Sequence, residues 1–388
     1  MKSLRLDEVC EIIMGQAPSG EAYNNDGNGW PLIAGAGDFG DTKPQAKKFT
    51  TEASKLSRIG DIVLGIRASI GEKVVADGEY CLGRGVAGLR ARASLETRFL
   101  WHWLSHSASR LALKAKGATF KQVNRDDIGE LEILLPPLPE QRRIAAVLDK
   151  AEALRALRRD ALAELDALTQ AIFMEMFGDP ACNSKKLPKI SLGELGEWAS
   201  GGTPPRSQKE YFEGSIPWFS SGELNDMFAL NSKEHISQFA IRETTARAVP
   251  KNALMLGMYD TAALKASISG VDCSCNQAIA FATINPEIAE TLFVYYSIII
   301  GREHFRRLQR GVRQKNLNLS MIREISIPKP PLPLQREFAR RVAAVEKLKA
   351  SHRESLAELD ALFAALQYRA FRGELTFSGF DKAFGCVI

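Results

Sequence analysis

Two stretches of this chain read as single long helices. From Glu140 to Phe177, and again from Leu334 to Arg372, neither glycine nor proline occurs. In the first stretch the apolar positions Ile144, Val147, Ala151, Leu154, Leu165, Leu168 and Ile172 recur at steps of three and four. In the second they are Phe338, Val342, Val345, Leu348, Leu359, Leu362 and Leu366. Lys, Arg and Glu lie between, which is a heptad-like pattern. At 1.5 Å per residue each helix is about 57 Å long. Pro139 and Pro333 fit the entry, where a missing N–H costs nothing, and Gly178 and Gly373 fit the exit. The segment before each helix has another texture. Short strand-like runs such as Asp61–Leu64, Lys73–Ala76, Leu131–Leu135, Ala278–Ala282 and Glu324–Ile327 are divided by turn signals at Asp77-Gly78 and Ser269-Gly270. Helical patterns over 95–116 and 287–308 complete an α+β mixture.

The plan occurs twice. Leu162-Ala-Glu-Leu-Asp-Ala-Leu168 returns letter for letter at 356–362, an offset of 194, half the chain's 388 residues. Pro136-Pro-Leu-Pro-Glu-Gln-Arg142 matches Pro330-Pro-Leu-Pro-Leu-Gln-Arg336, and the segment from Gly117 to Asn124 matches that from Gly311 to Asn318, at the same offset. Leu64-Gly65 pairs with Leu256-Gly257 at 192, and Gly15 with Gly201 and Pro31 with Pro217 at 186. A drifting offset is what small loop insertions leave in a tandem duplication. Chance similarity of Leu/Ala-rich helices does not produce an ordered series of matches.

Each helix must bury its apolar stripe. Docking of each on its own domain is one solution; mutual antiparallel pairing is the better one. With centres aligned, Leu154 meets Leu356, Ala151 meets Leu359, Leu162 meets Leu348, Leu165 meets Val345, Leu168 meets Val342 and Ile172 meets Phe338. Arg158 and His352 form a polar break in the middle of the seam. The expected fold is therefore α+β: two tandem-repeat globular domains separated by two long antiparallel coiled-coil spacer helices, pseudo-two-fold symmetric. Two such readers on a fixed spacer suit a ligand with its own two-fold axis, double-stranded DNA, with two unlike half-sites and an unread gap.

Charge and composition narrow the chemistry. The net charge of +5 permits nucleic acid without demanding it. Hydrophobic residues are 45% and charged residues 25%, and no apolar run approaches the ~20 residues of a membrane span, so a soluble globular protein is expected. The N-terminus carries no secretory pattern, and the chain opens directly on its first domain. The cysteines, Cys10, Cys81, Cys182, Cys273, Cys275 and Cys386, are scattered, without CxxC, and read as reduced thiols of a cytoplasmic protein. Enzyme signatures are missing. Thr203-Pro204-Pro205-Arg206 is not the Asn/Asp-Pro-Pro-aromatic loop of an adenine methyltransferase, and neither a phosphate-binding Gly-rich loop nor Gly-x-Ser-x-Gly occurs. His102 and His106 stand at i, i+4, but without a third ligand nearby they read as packing or surface residues.

Basic residues cluster at equivalent places in both halves. Arg110, Lys114 and Lys116 precede Gly117, and Lys121 and Arg125 follow it; Arg302, Arg306, Arg307 and Arg310 precede Gly311, and Arg313 and Lys315 follow it. Such side chains hold phosphates and set register. Thr119, Gln122 and Asn124, with Gln314, Asn316 and Asn318, add hydroxyls and amides of the kind that read base edges. Arg67, Lys73 and Arg84, with Lys265 in the second half, are weaker candidates. Gly117 and Gly311 fit a tight turn. Charge on a helix is usually a solvated face, so the two stretches as surfaces carry more weight than any one residue.

With these residues in view, the chain resembles the specificity (S) subunit of type I restriction–modification systems. The resemblance rests on Leu135-Pro-Pro-Leu-Pro-Glu-Gln-Arg-Arg-Ile144, the helix that follows, their second copy from Pro330, and the loops at Gly117 and Gly311, and it covers about residues 4–375. It implies target recognition domains at 1–136 and 181–330, a central spacer helix at 137–180, a C-terminal spacer helix at 331–376 and a tail at 377–388. It implies a chain without catalysis or cofactor of its own. Two methyltransferase (modification) subunits that use S-adenosylmethionine would dock on the spacer, with restriction subunits that use ATP and Mg in a full complex. The copies differ at Glu140 against Leu334 and at Arg143 against Glu337. The bases read do not carry over. The competing readings are a structural coiled-coil adaptor and the specificity module of another restriction-associated methyltransferase.

Overall fold

The computed structural model describes residues 2–117, 121–308 and 316–375. Packing divides the chain into two compact units, Met1–Arg159 with Glu354–Ile388, and Asp160–Arg353. Both divisions fall inside a long helix. Leu138–Phe177 and Leu332–Phe371 are each a continuous α-helix of 40 residues, so each unit holds a globular part and one half of each helix. The boundaries implied by the family resemblance divide the chain by role into recognition domains and spacer helices, whereas the units here are divided by contact. The apolar ends of the helices complete the domain cores, so by contact each globular part and its helix halves form one unit.

In the first unit a four-stranded antiparallel sheet orders Cys10–Met14, Val86–Ala91, Ile62–Gly65 and Lys73–Val75. A second sheet sets Trp30–Ile33 parallel to Cys81–Leu82 and antiparallel to Lys48–Thr50. Strand Lys2–Arg5 pairs with Glu132–Leu135 just ahead of the long helix. The core runs from Leu6, Ile62, Leu64 and Leu89 through Phe99 and Trp103 to Ile144 and Leu148 of the first long helix and Phe363 and Phe371 of the second. The second unit repeats the plan. Ile216–Phe219 lies parallel to Cys273–Cys275, Leu254–Gly257 pairs with Ala266–Ser269 and Ile279–Ala282, and Lys189–Ser191 pairs with Ser326–Pro328. Its core centres on Phe173, Phe177, Phe293 and Phe338. There Phe177 and Phe293 meet edge to face at 4.8 Å between ring centroids, a favoured aromatic geometry.

The proline-rich motif has a structural reason in its glutamine. Gln141 is fully buried; its Nε2 donates to Pro136 O at 2.8 Å and Ser94 O at 2.9 Å, and its Oε1 accepts from Glu96 N at 2.8 Å. Gln335, equally buried, donates to Pro330 O at 2.9 Å and accepts from Glu290 N at 3.0 Å. One amide thus ties the start of each long helix to the start of the domain helix Thr97–Leu113 or Thr291–Phe305. The pattern called attention to the prolines and passed over this residue.

The helix halves run antiparallel within each unit, but not in the aligned register. In the first unit Arg155 Nε lies 2.5 Å from Asp360 Oδ1, and its guanidinium sits 4.4 Å above the Phe363 ring. In the second, Lys349 Nζ meets Asp166 Oδ1 at 2.6 Å, and Phe338 packs on Phe173 and Phe177 at 5.5 and 5.4 Å. Aligned centres would have put Arg155 opposite Ser355 and Asp166 opposite Ala344. The ion-paired residues lie five positions beyond the aligned ones, about 7.5 Å along the helix. Val345 is buried, and Leu162, Leu165, Leu356 and Leu359 are half-buried. Leu154, Leu168 and Leu348, expected in the seam, are 51%, 45% and 54% exposed. The physical reason is that the aromatic cores and buried glutamines at the helix ends set the register. A stripe read from one helix at a time carries no information about its partner's phase.

Cys10, Cys81, Cys273 and Cys275 are buried and unpaired, and burial pushes the Cys10 and Cys273 thiols up to about 12. His102 is fully buried. Its Nε2 lies 2.8 Å from Asp149 Oδ1 on the first long helix, and its ring meets Phe363 edge-on. His106 packs against Phe371. Among the described residues no helix is long and apolar enough to cross a membrane.

Candidate nucleic-acid interface

One backbone hydrogen-bond chain assembles most of the sequence-predicted residues of the first unit. The Gly83 carbonyl accepts from Val86 N at 3.1 Å, closing a tight turn with Arg84 and Gly85 at its centre. Gly85 O accepts from Ile66 N at 3.0 Å, and Ile66 O accepts from Val123 N at 3.0 Å. Three segments therefore lie side by side: the Arg84 turn, the loop bearing Arg67, and the stem of the Gly117 loop, closed by reciprocal 3.0 Å bonds between Lys116 and Gln122. Gly117 has φ +124°, a conformation L side chains rarely adopt, which accounts for the glycine. Lys116, Lys121, Gln122 and Arg125 are exposed; Lys116 Nζ is 3.8 Å from Asp127 Oδ1. Arg67 is half-buried. Thr119 lies outside the described residues, as do Arg310, Gly311, Arg313, Gln314 and Lys315 of the second unit.

The second unit repeats the turn-to-loop and loop-to-stem bonds. Ile279 N donates to Asn276 O at 3.1 Å, Met258 N to Ala278 O at 2.9 Å, and Leu317 N to Met258 O at 2.8 Å. The turn centre here is Gln277 and Ala278, and Tyr259 and Asn316 form the bridge beside it. Both turns are pinned from below. Gly83 N donates to Ile33 O at 2.8 Å and Asn276 N to Phe219 O at 2.9 Å; Gly15 N donates to Val86 O and Gly201 N to Ile279 O, each at 3.0 Å. The repeated glycine is a close approach. A Cβ on Gly15 would lie 2.1 Å from Gly83 O, and one on Gly201 would lie 2.2 Å from Cys275 O. Gln277, Tyr259 and the lysines Lys47 and Lys48 beside Arg84 were not singled out from sequence. The offset-186 glycines pointed to this corner, but only the folded backbone shows which side chain each turn presents.

Other expected contacts have different work. Lys73 turns to the domain helix, donating to Ser105 Oγ at 2.6 Å with its ammonium 4.4 Å from the Trp101 ring centroid. Burial lowers its pKa to about 8, and these contacts hold its ammonium against the domain helix. Lys265 donates to Asn225 Oδ1 at 2.6 Å. Asn124 and Asn318 cap short helices, accepting from Asp127 N at 2.8 Å and Met321 N at 2.9 Å. Arg302 donates to the carbonyls of Ala263 and Thr261 and fastens the loop before strand Ala266–Ser269. Sequence spacing cannot separate a capping Asn or a bracing Lys from a base reader, because all three favour the same polar turns.

The first unit has a cleft of about 510 Å³ at this edge, lined by Ala17, Tyr23, Asp38, Lys47, Lys48 and Arg84 among others. Asp38 and Lys47 are engaged within its wall, with Asp38 accepting from Ala34 N at 2.8 Å and Lys47 donating to Gly37 O at 2.8 Å.

Comparison with known proteins agrees with this architecture. Residues 1–167 and 185–361 each match the type I restriction modification DNA specificity domain, and the chain belongs to that family. It is 22% identical to the type I restriction enzyme EcoBI specificity subunit of Escherichia coli over 411 aligned positions, 96% of this chain and 86% of that one. It is 25% identical to the EcoR124I/EcoR124II specificity subunit of the same species over 52% of this chain and 50% of that one. The chain spans about a third to a half of the length of the first curated relatives it matches. A crystal structure of the S subunit of a type I restriction–modification system from M. genitalium superposes with a TM-score of 0.58 at 17% identity. The match covers 95% of this chain and 96% of that one, a likeness of fold.

Proposed function

We propose that this chain is the non-catalytic, sequence-reading subunit of a type I restriction–modification complex. Each unit reads one half of an asymmetric, bipartite duplex target, and the long helices set the half-site spacing and dock two modification subunits. The observation that carries this reading is the duplication itself: two copies of one DNA-specificity domain, with the same backbone framework and different side chains at its exposed edge. Identical scaffolds with unlike tips suit two half-sites of unlike sequence. The leucines Leu154, Leu157, Leu168, Leu348 and Leu362, exposed on the long helices, suit a protein partner. Methyl transfer from S-adenosylmethionine belongs to the partners, as does any ATP- and Mg-dependent step of a restriction subunit.

The test is reconstitution. The purified chain with S-adenosylmethionine and duplex DNA is expected to methylate nothing, and addition of the modification partner is expected to yield methylated adenine in a split site. Methylation by the chain alone, or a continuous unsplit site, overturns the proposal. Failure of the complex to bind DNA favours the coiled-coil adaptor.

A further inference from the structure

We infer that Arg84 and Gln277 are equivalent base-reading side chains, Arg84 taking a guanine in one half-site and Gln277 an adenine in the other; this rests on the sequence-reading function proposed above.

The inference starts from position. Both residues occupy the first central place of the tight turn that follows the strand parallel to Trp30–Ile33 or Ile216–Phe219. Both turns are held by the same backbone bonds to a glycine, to the neighbouring strand end and to the adjacent loop. A side chain that reads a base must be delivered from a fixed backbone, since a displacement near 1 Å forfeits a paired hydrogen bond. These turns are fixed in that sense. Both side chains are exposed. Neither belongs to a core, caps a helix or braces an element, which are the roles that claimed Lys73, Asn124 and Asn318.

Chemistry then separates the two. Arg84 makes no side-chain hydrogen bond or ion pair among the described residues, and it is one of the residues that line the cleft. A guanidinium presents two parallel N–H groups that match the O6 and N7 acceptors of guanine in the major groove. Gln277 carries an amide, whose carbonyl and NH₂ match the N6 donor and N7 acceptor of adenine. Its Oε1 already accepts a hydrogen bond from Thr203 Oγ1. That bond fixes the amide plane and leaves Nε2 and one lone pair of Oε1 for a base. The matching place in the first unit is Ala17, which has no hydroxyl and lines the Arg84 cleft. The duplicated framework therefore carries two different readers, one supported by a neighbouring threonine and one standing alone.

The experiment uses the chain assembled with its modification partner, S-adenosylmethionine and a library of duplexes randomised across both half-sites. The readout is the methylation rate for each base at each position. R84Q is expected to lose discrimination for guanine at one position of one half-site, by about 5- to 150-fold, and to leave the other half-site unchanged. Q277R is expected to do the same for adenine at one position of the other half-site. R84K keeps the charge without the fork and is expected to resemble R84Q. An unchanged preference profile in R84Q and Q277R overturns the inference. So does a uniform rate loss across all sequences with a shallower salt dependence, which marks a phosphate contact. A wild-type complex that methylates no split site removes the proposed function itself, and the wild-type library shows this before any variant is compared.

Discussion

Truncating Gln141 tests whether the buried amide, and not the prolines around it, makes the repeated motif necessary. In Gln141→Ala the carbonyls of Pro136 and Ser94 and the N–H of Glu96 each lose a partner at 2.8–2.9 Å. Ser94 is exposed and its carbonyl can be rehydrated. Pro136 is buried and Glu96 half-buried, so two groups go unpaired at about 1–3 kcal/mol each. Glu96 also caps the domain helix, accepting from Phe99 N at 2.6 Å, so the loss spreads to the start of that helix. A destabilisation of about 3 kcal/mol follows, equivalent to a fall of about 1 M or more in the urea midpoint of the first unit. Gln335 makes one bond fewer and Glu290 carries no side-chain cap, so Gln335→Ala is expected to cost less, about 2 kcal/mol, in the second unit. Gln141→Glu keeps the acceptor, loses both donors and brings a charge against two carbonyls, and is expected to be no better than alanine. The assay is urea unfolding, with hydrogen exchange at Glu96 and Phe99 to locate the loss. A Gln141→Ala midpoint indistinguishable from wild type, or rescue by glutamate, refutes the reasoning.

Three further outcomes follow from the geometry. Lys73→Met in the complex is expected to leave the salt dependence of DNA binding unchanged, whereas Lys121→Ala lowers its slope by about one; a titration over salt concentration compares them. Burial lowers the His102 pKa below its ordinary 6.5, against the opposing pull of Asp149. The unfolded chain therefore binds a proton that the native ring does not, and the first unit loses stability as pH falls below 6.5. His102→Asn should flatten that slope in unfolding midpoints measured across the range. Asp61 is nearly fully buried and holds Arg90 through two bonds of 3.0 and 2.7 Å and the Arg58 N–H at 2.8 Å. Asp61→Ala leaves Arg90 only Glu11 Oε2 at 3.1 Å and the Arg58 N–H without its acceptor, and should cost about 2 kcal/mol by thermal or urea unfolding.

Much of this protein is determined by its sequence alone. A 194-residue offset, a pair of proline-bounded helices without internal glycine or proline, and strand-like runs in between suffice for a duplicated α+β chain with two long helices. These features survive translation to structure because local periodicity and turn chemistry act over a few residues and need no partner. The turn at Gly117 was legible for the same reason, whereas Gly15 and Gly201 stood out only as a repeated pair until the folded backbone showed what a Cβ would meet there. What tertiary structure decided is everything that depends on phase between distant segments. The ion-paired helix positions shifted by about five residues because Phe173, Phe177, Phe338, Gln141 and Gln335 lock the helix ends to the domains, leaving Leu154, Leu168 and Leu348 outside the seam. Lys73 turned out to rest on Trp101 and Ser105 of the domain helix, a contact that no sequence spacing shows. Arg84 rose from a weak candidate, and Gln277 entered at all, because only the paired strands bring both to the same place on the same turn. Sequence shows which residue types are present; the fold determines which of them face solvent from a rigid backbone.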